Sequence, residues 1–299
     1  MLIRNNKFYI TVILIFLILF CCSIVNKYYN VIAYRRIYEN AKYICNSVLE
    51  EGSSNFCTKV INENPDPLFT KLGTTPTIFI NVVSQFHLHD IWPIIIIIVT
   101  SVILHKSVKN KMSLFCLQRE NYKSFIIKNI KKMYKIAFCL PISLIIFSII
   151  CYFFNDSNIN IDLTSGLSSL SKLHLNMGVW FCIIYSINIL LLSISICNLV
   201  IIIGKKSFNV FITIIGTYLT YFISKLILAQ VVPFITYIFL FKIDLFNALE
   251  LNSFYFYDYA CEFYKMFFIA LTILGITSIS VYMLYKNKEE LIKSNETLI

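Results

Sequence analysis

The sequence predicts an all-α polytopic membrane protein: six transmembrane helices forming a single membrane domain over residues 1–299, with N and C termini cytoplasmic. Three observations predict it. Of 299 residues, 58% are hydrophobic and only 14% charged, with a mean hydropathy of +0.74; a soluble chain needs roughly a quarter charged residues to solvate its surface. Apolar runs of about 20 residues, enough to cross roughly 30 Å of hydrocarbon, recur along the chain. Lysine and arginine cluster in alternate loops, as the cytoplasmic bias of basic residues requires. The net charge of +10 is thus largely a signature of membrane orientation, and nucleic acid is not expected as a partner.

The first span is Phe8 to Val25. Arg4 and Lys7 ahead of it also fit the start of a signal peptide, but no small-residue cleavage site follows, and the large Phe20 precedes Cys21 where a lipoprotein signal needs a small residue. The segment reads as an uncleaved span. Residues 26–90 form an extracytoplasmic cap loop. It opens with Val31, Tyr34, Ile37, Tyr38, Ala41, Ile44 and Cys45 at helical spacing, an amphipathic helix continuing from the first span and ended by Gly52.

The second span runs from Asp90 to Val108, with Trp92 and Pro93 at its outer rim, where an indole favours the headgroup layer. Residues 105–135 follow as a cytoplasmic segment, with nine lysines and arginines against the single acid Glu120. The third span, Met133 to Phe154, is expected to kink at Pro141. The fourth is Met177 to Ile203, and Lys205 and Lys206 mark its inner end. The fifth starts at Phe208 and ends near Ala229, leaving Val231 to Phe241 too short for a crossing. Residues 231–264 are therefore an extracytoplasmic re-entrant or interfacial region. The sixth span is Met266 to Tyr285, followed by Lys286 and Lys288 inside.

Most candidate chemistry fails on spacing. His87-Leu88-His89-Asp90 would gather metal ligands only on a strand, since a helix separates alternate residues by about 200°. Gly204-Lys205-Lys206-Ser207 resembles the end of a phosphate-binding loop, but Leu199 stands where the first glycine must be. No CxxC pair occurs, most of the ten cysteines fall within spans, and a disulfide is open to Cys45, Cys57 and Cys261 alone, Cys45 with Cys57 being the leading pair. No catalytic residue, metal or cofactor is expected, and the chain does not read as an enzyme. Asn188, Ser195 and Asn198 lie broadly along one side of the fourth span; packing between helices is the plainer reading and a polar translocation path the alternative, with Lys225 of the fifth span as a further member.

Leu114 to Met133 stands out. Leu114, Leu117, Tyr122, Phe125, Ile126, Ile130 and Met133 make an apolar stripe with Arg119, Lys123, Lys128, Lys131 and Lys132 largely around it. Such a helix either lies on anionic membrane lipids or docks on a cytoplasmic partner. The run from Leu117 to Lys128, LQRENYKSFIIK, leading into a membrane span, resembles the coupling helix of the membrane-spanning permease subunit of ABC-2-type transporters, and the six-span topology is similar too. The resemblance implies a separate cytoplasmic ATPase subunit, a homodimer or heterodimer of permeases, and an ATPase-coupling role for Arg119, Tyr122, Lys123 and Phe125. It implies an exporter in the cell membrane that moves a peptide or lipid-like substrate. The alternative is a non-transporting membrane protein, an immunity or sensory factor whose outer cap binds an envelope ligand.

Overall fold

The computed structural model describes residues 6–48, 78–79, 82–83, 86–109, 119, 121–154, 179–207, 209–227 and 263–286. Most of the cap beyond residue 48, the region 231–264 apart from its last residues, and the tail after 286 lie outside the described residues. The fold is all-α, with no strand among the described residues. In chain order the helices are α1 (Asn6–Val48), α2 (Leu88–Ser107), α3 (Tyr122–Tyr134), a 3₁₀ turn (Lys135–Phe138), α4 (Cys139–Phe154), α5 (Val179–Lys206), α6 (Val210–Leu226) and α7 (Phe263–Leu284). Five stretches are long and apolar enough to cross a membrane: α1, α2, the continuous α3–α4 rod, α5 and α7; α6 is a shorter apolar helix.

Helix α1 runs as a single element of 43 residues, about 65 Å at the standard rise, so the first span continues without a break into the cap. One stripe is buried, including Tyr9, Phe16, Phe20, Ser23, Val31 and Cys45, while Ile10, Leu14, Ile18 and Tyr29 point outward. Phe20 stacks at a tilt on Phe147 of α4, 5.2 Å between ring centroids. Cys45 is disulfide-bonded, and its partner lies outside the described residues. The remaining described cysteines, Cys21, Cys22, Cys139, Cys151, Cys182 and Cys197, are free thiols within the expected spans.

The third span departs from its expected outline. Pro141 has no N–H to offer the carbonyl of Ala137, and its ring crowds that carbonyl. The chain answers with the 3₁₀ turn over Lys135–Phe138, ending just before α4. The described end of the basic segment, α3, passes through this turn into the apolar α4.

Helix α5 is the axis of the bundle, packed on α2, α4, α6 and α7. Its neighbours α2 and α7 run parallel to it. Trp92 Nε1 donates to Ser193 Oγ at 2.9 Å, Thr100 meets Cys197, and Lys109 reaches the carbonyl of Lys205, the two helices advancing in the same direction. On the other side, Asn198 meets Thr277 and Ser278 while Lys205 reaches Leu284. Near the start of α2, Trp92 turns into the bundle: it is 3% exposed, its ring meets Phe16 of α1 edge-on at 5.6 Å, and Ser193 supplies the acceptor a buried indole needs.

These pairings, with Lys135 Nζ donating to Asn6 Oδ1 at 2.8 Å and His105 Nε2 against Thr213 Oγ1 at 2.7 Å, gather six helix ends together. The starts of α1, α3 and α6 and the ends of α2, α5 and α7 share one end of the bundle, with Lys106, Lys109, Lys123, Lys128, Lys131, Lys132, Lys205 and Lys206. We call it the basic end.

Candidate coupling site at the basic end

Helix α3 begins where its sequence dictates. The Asn121 side chain caps it by accepting from the Lys123 backbone N–H at 3.1 Å, and the apolar stripe then turns inward. Phe125, Ile126, Asn129 and Met133 are buried. Asn129 donates to the Phe125 carbonyl at 3.0 Å, and Lys132 donates to Asn129 Oδ1 at 3.2 Å.

Of the four expected coupling residues, the structure separates two pairs. Phe125 is 4% exposed and belongs to the core, and Tyr122 packs against it with its hydroxyl donating to the Tyr285 carbonyl at 2.7 Å. Both aromatic side chains thus anchor α3 to the bundle, Phe125 buried and Tyr122 half-buried. Arg119 and Lys123 are exposed.

Beneath this contact is a group of residues that spacing did not reveal as a unit. Lys109 is buried and donates to the Lys205 carbonyl at 2.5 Å and the Ser207 carbonyl at 3.3 Å. Lys205, also buried, donates to the Leu284 carbonyl, and its ammonium stands 5.8 Å from the centroid of the Tyr285 ring. Tyr285 Oη in turn donates to the Ile201 carbonyl at 3.4 Å. The last carbonyls of a helix have no intrahelical donors and carry the negative end of its dipole, so an ammonium there serves as both hydrogen-bond donor and counter-charge. Lys109 does this for α5 and Lys205 for α7. Burial lowers the Lys109 pKa below the ordinary lysine value, and the nearby Lys205 charge lowers it further. The available sequence signal was the pair of basic residues closing the second and fourth spans, which reads as membrane orientation and says nothing about contact.

The residues of the expected polar path have different surroundings. Asn198 is fully buried and makes three interhelical bonds: it accepts from Tyr134 Oη at 2.5 Å and donates to Thr277 Oγ1 at 3.2 Å and Ser278 Oγ at 3.1 Å. Ser195 bonds back to the Leu191 carbonyl of its own helix at 2.9 Å. Asn188 is buried, and neither its amide oxygen nor its nitrogen has a hydrogen-bond partner among the described residues. Lys225 sits in the last turn of α6, its side chain outside the described residues.

No protein-family model, curated protein or solved structure matches this chain. The reading of the site therefore rests on its own geometry. Near the expected histidine cluster, His87 is the left-handed residue (φ 45°, ψ 43°) that opens α2, while Asp90 is in the first turn. Among the described residues no three His, Cys, Asp or Glu side chains gather as a metal site would need.

Proposed function

We propose that the protein is the membrane-spanning permease subunit of an exporter of ABC-2 type, multi-pass in the cell membrane with its basic end cytoplasmic, and driven by a separate ATPase. The observation that carries this reading is the brace at the basic end. Helix α3 runs on into α4 through the 3₁₀ turn, and through Tyr122 it holds the end of α7, which Lys205 of α5 also grips. A displacement applied to the outer end of α3 is then shared by three helices. That is the mechanical requirement for coupling ATP hydrolysis to helix movement.

With Tyr122 and Phe125 turned inward, docking falls to Arg119 and Lys123. The test is affinity purification of the full chain in mild detergent. Wild type is expected to recover an ATPase, and Arg119→Glu with Lys123→Glu to lose it while inserting normally. Failure to recover any ATPase with the wild type would defeat the proposal.

One observation favours the non-transporting reading. Helix α1 exceeds a hydrocarbon crossing by roughly 35 Å and carries the disulfide-bonded Cys45 towards its far end, as a stalk presenting an outer ligand-binding cap would. Recovery of an envelope ligand by the wild type, without an ATPase, would establish that reading instead.

A further inference from the structure

The outward face of the α3–α4 rod changes character at one level. On α4 and the turn before it, Phe138, Ile142, Ile146, Ile149 and Phe153 all point away from the bundle, from 37% to 79% exposed. They follow one another at three- and four-residue spacing, the lipid-facing side of a span. The same outward side continues on α3, where Lys135, Lys131, Lys128 and Lys123 are exposed and Ile127 stands among them at 44%. Lys132 flanks this row, half-buried.

Helix α4 has 16 residues and the 3₁₀ turn 4, which together rise about 32 Å, enough for the hydrocarbon core. Lys131 and Lys132 follow Lys135 by about 5 Å along the helix axis and Lys128 by about 10 Å, so the lysines begin where the apolar outward row ends. Lys135 itself is engaged by Asn6 and by the Tyr9 ring at 5.9 Å, and Lys132 also donates to Asn129.

We infer that Lys128, Lys131 and Lys132 form a binding site for the phosphate of an anionic phospholipid whose acyl chains cover the Phe138–Phe153 face. The shallow groove between these lysines is completed by Ser124 and Ile127. The lysines supply donors and charge, and Ile127 meets the glycerol and upper acyl carbons, so the site recognises a headgroup still attached to its chains. The inference stands whether or not an ATPase partner exists.

The test is native mass spectrometry of the full chain released from nanodiscs of mixed phosphatidylglycerol and phosphatidylcholine, scoring retained lipid. Wild type should retain phosphatidylglycerol preferentially. At about fivefold per lysine near the surface, K128Q/K131Q/K132Q should lose on the order of 100-fold of that preference, and K128R/K131R/K132R should keep most of it. R35Q/R36Q/K42Q, which removes the same charge from the outer part of α1, should leave it unchanged. Equal retention by wild type and the glutamine triple would overturn the site. So would an equal loss in the α1 variant, which would mean that only net charge matters, or full competition by millimolar inorganic phosphate, which would mean a free-anion site. If the glutamine triple keeps its lipid but loses an ATPase, the lysines serve a protein and the inference is wrong.

Discussion

Replacing Asn198 with alanine is the most exacting perturbation of this bundle. The amide is fully buried and joins three helical elements through Tyr134, Thr277 and Ser278. Interhelical hydrogen bonds in membranes average about 0.6 kcal/mol each, so the three together contribute about 2 kcal/mol. Removal also leaves the Tyr134 hydroxyl without that acceptor, at a cost of about 1–3 kcal/mol. Thr277 is spared, because its hydroxyl also donates to the Ile273 carbonyl. The expected loss is about 3–5 kcal/mol. Ser195→Ala, which removes only a bond within one helix, should change stability by less than about 0.5 kcal/mol. Both are measurable by reversible unfolding in mixed micelles, titrated with a denaturing detergent and followed by far-ultraviolet ellipticity. A double-mutant cycle with Tyr134→Phe should give a coupling of about 1 kcal/mol. The reasoning fails if Asn198→Ala and Ser195→Ala cost the same, or if the cycle shows no coupling.

A β-carbon at Gly204 would fall 2.1 Å from Leu104 Cδ2 and 3.3 Å from Thr213 Cγ2. Gly204→Ala should therefore cost about 1 kcal/mol net of its better helix propensity, Gly204→Val more, and the pair with Leu104→Ala should lose less than the sum in the same unfolding assay. Lys109 has a lowered pKa in the folded state, through burial first and the Lys205 charge second, against 10.5 for an ordinary lysine. Between the lowered value and 10.5 the unfolded chain binds more protons, so stability should rise with pH across that window; Lys109→Met should remove this rise, and an identical profile in the variant would refute it. For sidedness, a lone cysteine replacing the 78%-exposed Tyr43 should react with an impermeant thiol reagent in intact cells, and one replacing Lys123 should not. The opposite pattern would invert the proposed topology.

The positions of the helices were legible because hydropathy and charge decide them. The expected second, fourth and sixth spans differ from α2, α5 and α7 by only a few residues at their ends. Lateral contacts were not legible. Lipid tails are as apolar as leucine, so a hydropathy pattern does not distinguish a lipid-facing isoleucine from one facing another helix, and the choice of neighbour falls to a few polar contacts. Trp92 illustrates the limit: its rim placement followed from indole chemistry, while its turn into the bundle depends on Ser193, about a hundred positions away in the chain, as acceptor. Phe125 and, in part, Tyr122 are covered for the same reason: the sequence showed their apolar stripe, whose Leu114 and Leu117 lie outside the described residues, but not that the bundle itself would cover it. At the candidate site, the lysines of α3 were visible as a set, whereas the joining of Lys109, Lys205 and Tyr285 through backbone carbonyls leaves no mark on residue spacing.

The parallel packing of α5 with α7 has a consequence for how the chain enters its membrane during synthesis. Helices inserted as antiparallel hairpins meet their partners at once, but Asn198 waits for Thr277 and Ser278, and Lys205 for Leu284, until 79 or 80 more residues have been made. Throughout that interval α5 presents an amide and an ammonium whose final acceptors do not yet exist. A ribosome stalled before α7 would therefore leave a nascent chain with polar groups unmatched in the bilayer, the feature by which a membrane chaperone can hold it and a quality-control protease can destroy it. Completion of α7 supplies those acceptors and removes that mark.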